Sequence, residues 1–143
     1  MNKIKRIALV VYYWPPSGGS GVQRWLFFAN HLAEKGFEVS VYVPNKPRVA
    51  QIDLSLLDKV HLKIKIIKLD AWEPMQNKKE PVAENIINSK GIINQFKLWI
   101  RANFFVPDAR VNWSKKAGKS FLRHHNKNPF DLLITSGPPH SLH

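Results

Sequence analysis

The apolar positions change period along the chain, and those changes predict its elements. Ile7-Ala8-Leu9-Val10-Val11-Tyr12 is a continuous apolar run, the pattern of a strand buried on both faces of a parallel sheet. In Trp14-Pro15-Pro16-Ser17-Gly18-Gly19-Ser20-Gly21, prolines and glycines then predict a loop. Val22, Leu26, Ala29 and Ala33 recur at helical spacing, Trp25 and Leu32 widen that face, and Gly36 stands where a helix ends. Residues 39–43 predict a second strand, stopped by Pro44. Strand, loop, helix, strand is a βαβ unit, so the predicted class is α/β: a Rossmann-like parallel sheet flanked by helices.

The rest of the chain is less regular. Residues 52–57 predict one or two helical turns. Residues 62–68 alternate mostly at period two and predict a third strand near an edge, its lysines facing solvent and blocking edge pairing. Residues 73–90 are polar, with Pro74 and Pro81, and predict a surface insertion. A helix is expected over 92–105, with Phe96, Ile100 and Phe104 on one stripe, and a second, basic one over 111–125. Residues 131–135 predict a buried-type strand running into Gly137-Pro138-Pro139-His140, where another helix should open. With that helix missing, the chain is expected to be the front part of something longer.

At 143 residues the chain is one domain, and 44% hydrophobic with 22% charged residues excludes a disordered protein. Twenty-two Lys and Arg against ten Asp and Glu leave a formal charge of +12. That favours an anionic partner: nucleic acid, an acidic membrane surface or a phosphorylated ligand. The absence of Cys excludes disulfides, thiolate metal sites and Cys nucleophiles. The basic start resembles a signal peptide's, but Pro15-Pro16 ends the apolar run early. No stretch approaches the roughly 18 apolar residues of a membrane span. A soluble cytoplasmic protein is expected, attached at most to a membrane face.

Two sites stand out. Glycine-loop amides at a helix start bind phosphate, because free N–H groups and the helix dipole both favour anions. Two familiar forms fail: a dinucleotide fingerprint needs Gly where Arg24 stands and an acid near Pro44-Asn45, and a Walker loop ending at Gly118-Lys119-Ser120 needs Gly in place of Trp113. Arg24, set against the dipole of the helix start, hints at an anionic ligand; a solvated surface Arg is the alternative. His140 follows the carboxyl end of a strand, where open α/β sheets bind ligands, and can act as acid, base or hydrogen-bond donor; a packing or capping role is its alternative. His124, His125 and His143 lack partners at metal-ligand spacing, so no metal is assigned. Trp99, Phe104, Phe105 and Trp113, interleaved with Lys97, Arg101 and Arg110, suit either a helix packed on the sheet or an interfacial surface.

Three stretches together resemble a subgroup of the retaining family 4 glycosyltransferases. They are Tyr12-Tyr13-Trp14-Pro15-Pro16-Ser17-Gly18-Gly19-Ser20-Gly21-Val22-Gln23-Arg24-Trp25, then Asn103-Phe104-Phe105-Val106-Pro107-Asp108-Ala109-Arg110, then Thr135-Ser136-Gly137-Pro138-Pro139-His140-Ser141. The resemblance implies a GT-B architecture of two Rossmann-like domains, of which this chain is the N-terminal, acceptor-side one, with the C-terminal donor-binding domain absent. It implies that Gly18, Gly19 and Gly21 lie near the donor diphosphate, that Arg24 lines the cleft, and that His140 lies near the transferred sugar. The surface of Trp99, Arg101, Phe105 and Arg110 would serve the acceptor or a membrane.

The expected function is therefore sugar transfer from a nucleotide-sugar to a polysaccharide or lipid-linked acceptor, in making cell-surface polysaccharide. The nucleotide-sugar is co-substrate, no metal or other cofactor is required, and this segment alone should be inactive. A basic α/β module that holds polyanions without catalysis is the alternative. Nucleic acid is the less favoured partner, because no RNA-recognition or helix-turn-helix signature is present. A truncated remnant without function is a third.

Overall fold

A computed structural model describes residues 5–47, 49, 51–70, 110–137 and 140–142. Four strands, β1 (Arg6–Val11), β2 (Glu38–Pro44), β3 (Lys65–Leu69) and β4 (Leu132–Ser136), form one sheet in the order β3-β2-β1-β4. Every neighbouring pair is parallel. Helix α1 (Ser20–Glu34) connects β1 to β2, and helix α2 (Val111–Lys127) precedes β4. The fold is a Rossmann-like α/β sheet with a helix on each face, as the apolar runs predict.

The period-two alternation of side chains divides the core between those faces. Leu9, Val11, Val39, Val41 and Val43 pack against Val22, Leu26, Ala29 and Ala33 of α1. On the other face Ala8, Val10, Tyr12 and Tyr42 meet Trp113 and Ala117 of α2. Both faces of β1 are therefore covered, which is why its sequence is continuously apolar. Each large side chain buried there contributes about 1.5–3 kcal/mol.

Polar clamps set the strand ends. The Asp131 carboxylate accepts from the backbone amides of Lys5 and Arg6, each at 2.8 Å. Arg6 donates to Glu38 Oε2 at 3.1 Å and to the carbonyls of Asn128 and Pro129, its guanidinium lying over the Phe130 ring. Asn30 pins the β2–β3 connection to α1, donating to Lys59 O at 2.6 Å and accepting from the His61 amide at 3.0 Å.

Several boundaries differ from expectation. Ser20 and Gly21 belong to the first turn of α1 rather than to the loop. Residues 52–57 carry a single 3-10 turn, Leu54–Leu56, capped by the Asp53 carboxylate. The third strand starts only at Lys65, although its edge position is as expected. β4 is not buried on both faces: Leu132 and Leu133 are 39% and 44% exposed, because β4 lies at the edge beside β1. A 3-10 turn, His140–Leu142, follows it. The insertion at 73–90 and the helix at 92–105 lie outside the described residues.

Candidate functional site

The sheet order creates one natural crevice. The chain passes from β1 outward through β2 to β3, and β4 then joins on β1's other side. Open α/β sheets bind ligands at the carboxyl ends where the winding reverses, here between β1 and β4. Val11 and Ser136 are register partners at those ends. The glycine loop and the loop leading to His140 therefore leave the sheet side by side.

The glycine loop is held from below by residues 51–53. Gly18 N donates to Gln51 O at 2.9 Å, Asp53 N donates to Pro16 O at 2.8 Å, and Ser17 bridges Ile52. A Cβ on Gly18 would lie 3.0 Å from the exposed Gln51 side chain, which would have to shift by a few tenths of an ångström. Gly19 caps α1 at φ +103°, a left-handed conformation that side chains disfavour. Gly21 has neither constraint: its φ is ordinary and nothing lies within 4 Å of an added Cβ.

The start of α1 has no side-chain cap and no acidic residue in its first turn. The Val22 and Gln23 amides donate to Gly19 O at 3.2 and 3.3 Å, while the amides of Ser20 and Gly21 precede the first of these bonds, where an anion would complete them. In the loop that leads to this helix start, Ser17 Oγ and Trp14 Nε1 are buried, with no hydrogen-bond partner among the described residues.

Aromatic rings and an arginine build the other side. The Arg110 guanidinium lies 4.5 Å from the Tyr12 ring centroid and 5.6 Å from that of Tyr13. Tyr12 in turn meets Tyr13 and Trp113 edge-on, at 5.1 and 5.3 Å. Ser114 Oγ donates to Arg110 O at 3.3 Å and lies 2.8 Å from Ser141 Oγ. That contact ties the His140–Leu142 turn to the first turn of α2. His140 is exposed, next to the anchored Ser141.

Gly18, Gly19 and Gly21 thus follow β1 and His140 follows β4 at the carboxyl end of the sheet, where Arg110 lies over Tyr12. Arg24 is set apart: it is exposed, lies 5.4 Å from the Trp25 ring centroid, and stands two residues from both buried Val22 and Leu26, on the outward side of α1. Trp99, Arg101 and Phe105 lie outside the described residues. Tyr12 and Tyr13, which the sequence pattern does not mark as site residues, lie against Arg110. Their signal was a pair of phenols ending an otherwise aliphatic strand, beside the loop already chosen.

The edge offers backbone amides to an anion and an imidazole to a hydroxyl or an oxyanion. Among the described residues no cluster of three or more His, Asp or Glu could hold a metal ion, and no helix is long and apolar enough to cross a membrane. No family model, no curated protein and no solved structure matches the chain.

Proposed function

We propose that this chain is the acceptor-side domain of a GT-B glycosyltransferase, transferring sugar from a nucleotide-sugar to a polysaccharide or lipid-linked acceptor. One observation supports the reading: Val11 and Ser136 are register partners at the reversal point of the sheet, so the strand that leads to an uncapped, acid-free helix start and the strand that leads to His140 end side by side. A diphosphate at the amides of α1 gains a fixed dipole that needs no reorganisation as negative charge develops on it. His140 lies on the neighbouring loop, suited to donating to the sugar or the departing oxygen. The donor nucleotide would be held by a second, facing domain, and the acceptor would enter over Arg110 and the tyrosines. In this reading the enzyme works at the cytoplasmic membrane face, with positioning as its main contribution.

The test is turnover of nucleotide-sugar by the full-length native protein and its His140→Ala variant. Loss of about a hundredfold or more is expected, as for a positioned acid, base or charge-stabilising group. A loss below about tenfold overturns the role of His140.

A further inference from the structure

A second concavity, of about 510 Å³, opens at the opposite, amino end of the sheet. The charged and titratable groups that line it are Arg6, Glu38, Lys63, Lys65, His124 and Lys127. Arg6 and Glu38 neutralise one another at 3.1 Å, the one ion pair among the described residues. Lys63, Lys65 and Lys127 are left without a carboxylate partner among those residues. The carboxyl ends of α1 and α2 also face this end, each bringing about half a negative charge. An excess of about two positive charges remains, in a space within the size range of small-molecule sites.

The three lysines come from two anchored segments, Lys63 and Lys65 at the entry to β3 and Lys127 at the end of α2. Lys65 begins β3 in register with Ser40, Lys127 ends α2, and Lys63 follows His61, whose amide is held by Asn30. Between them Phe37, Val39, Ile67 and Phe130 supply apolar wall. Lysine binds phosphate as a point charge without the fixed fork of arginine, so three exposed lysines lining one concavity suit a compact oligoanion. We infer that this concavity binds a small ligand carrying two or more phosphate charges, held by Lys63, Lys65 and Lys127 over the apolar wall. This site is at the opposite end of the sheet from the proposed transferase edge and does not depend on that reading.

His124 supplies an internal reporter. Its Nδ1 lies 2.9 Å from the Tyr42 hydroxyl, and burial, then Lys65, Arg123 and Lys127, hold its pKa below the ordinary value. A bound anion would offset those cations and raise it.

The experiment titrates the full protein with sodium triphosphate at about 0.15 M salt, where exposed long-range attraction is screened. Calorimetry and the His124 ring resonance are followed together. Saturable binding is expected, with the His124 titration moved to higher pH and affinity at least about tenfold weaker in Lys63→Gln/Lys65→Gln/Lys127→Gln. Absence of saturable binding, or a His124 titration unmoved by the ligand, overturns the site. So does binding that survives the three substitutions, which would belong to the glycine-loop amides instead. Vesicles containing phosphatidic acid identify the source of the phosphate. Capture that triphosphate reverses assigns the same site to a lipid headgroup, and no capture assigns it to a soluble ligand. Capture that triphosphate leaves intact is general surface attraction and overturns the inference.

Discussion

The Tyr42 hydroxyl and His124 Nδ1 lie 2.9 Å apart, joining the middle of β2 to the last turns of α2. Burial raises the phenol's pKa, so Tyr42 is neutral at physiological pH and can donate to a neutral imidazole. Burial and then the nearby cations lower that of His124 from 6.5.

A pH dependence follows from that direction. The folded chain binds fewer protons at His124 than the unfolded chain does. The stabilising contribution is therefore present above the unfolded value of 6.5 and lost as pH falls through the lower folded value. Thermal melts between pH 7.5 and pH 5 (chosen, about a unit or more on each side) should show stability falling towards acid. His124→Gln should flatten the slope. An unchanged slope would remove His124 as its source.

Gly19 and Gly21 should respond in opposite senses. Gly19→Ala places a Cβ at φ +103° and should cost about 1–2 kcal/mol in denaturant unfolding. Gly21→Ala meets no neighbour and should stabilise by about 0.5 kcal/mol, since alanine favours the helix. In the proposed transferase the same methyl group would stand at the anion site. A stabilised variant with weakened donor binding is expected; unaltered donor KM would remove the loop from that role.

Arg6 and Glu38 should contribute unequally despite forming one ion pair. Arg6 also donates to the Asn128 and Pro129 carbonyls and covers Phe130, so Arg6→Ala should destabilise by about 2 kcal/mol. The Glu38 side chain is 73% exposed, and Glu38→Gln should cost less than about 1 kcal/mol. Urea midpoints compared at equal m-value check both.

Ser17 should tolerate loss of its hydroxyl. Its Oγ is buried without a hydrogen-bond partner among the described residues, so Ser17→Ala removes an uncompensated polar atom. Stability unchanged or up to about 1 kcal/mol higher is expected from chemical denaturation. A clear loss would reveal a partner for that hydroxyl.

Much of the sheet was legible in the sequence because burial sets the period. β1, flanked on both sides and covered on both faces, reads as a solid apolar run, and the buried stripe of α1 is the one its spacing predicts. β4 has the same kind of sequence, yet Leu132 and Leu133 are half-exposed, since an apolar run does not encode what covers it. The start of α1 was displaced because Ser20 and Gly21 carry loop chemistry at positions that the helix takes over. The glycine loop and His140 were readable separately. That they follow neighbouring strand ends rests on β4 pairing with β1 rather than β3, which no local pattern records. The basic concavity was invisible for the same reason: Lys127 joins Lys63 and Lys65 along one wall only when α2 packs against the sheet.

The β1–β4 pairing also imposes a schedule on synthesis. Lys5 and Asp131, clamped together, are 126 positions apart, whereas β1, β2 and β3 follow one another closely. At ordinary elongation rates, roughly ten seconds separate the emergence of β1 from that of its last partner. Through that interval the most apolar strand of the chain has one edge satisfied and the other open, a template for any extended segment nearby. Pulse-labelled hydrogen exchange should find the β1–β4 amides protected last, and crowding of nascent chains should penalise yield more than loss of any single surface contact.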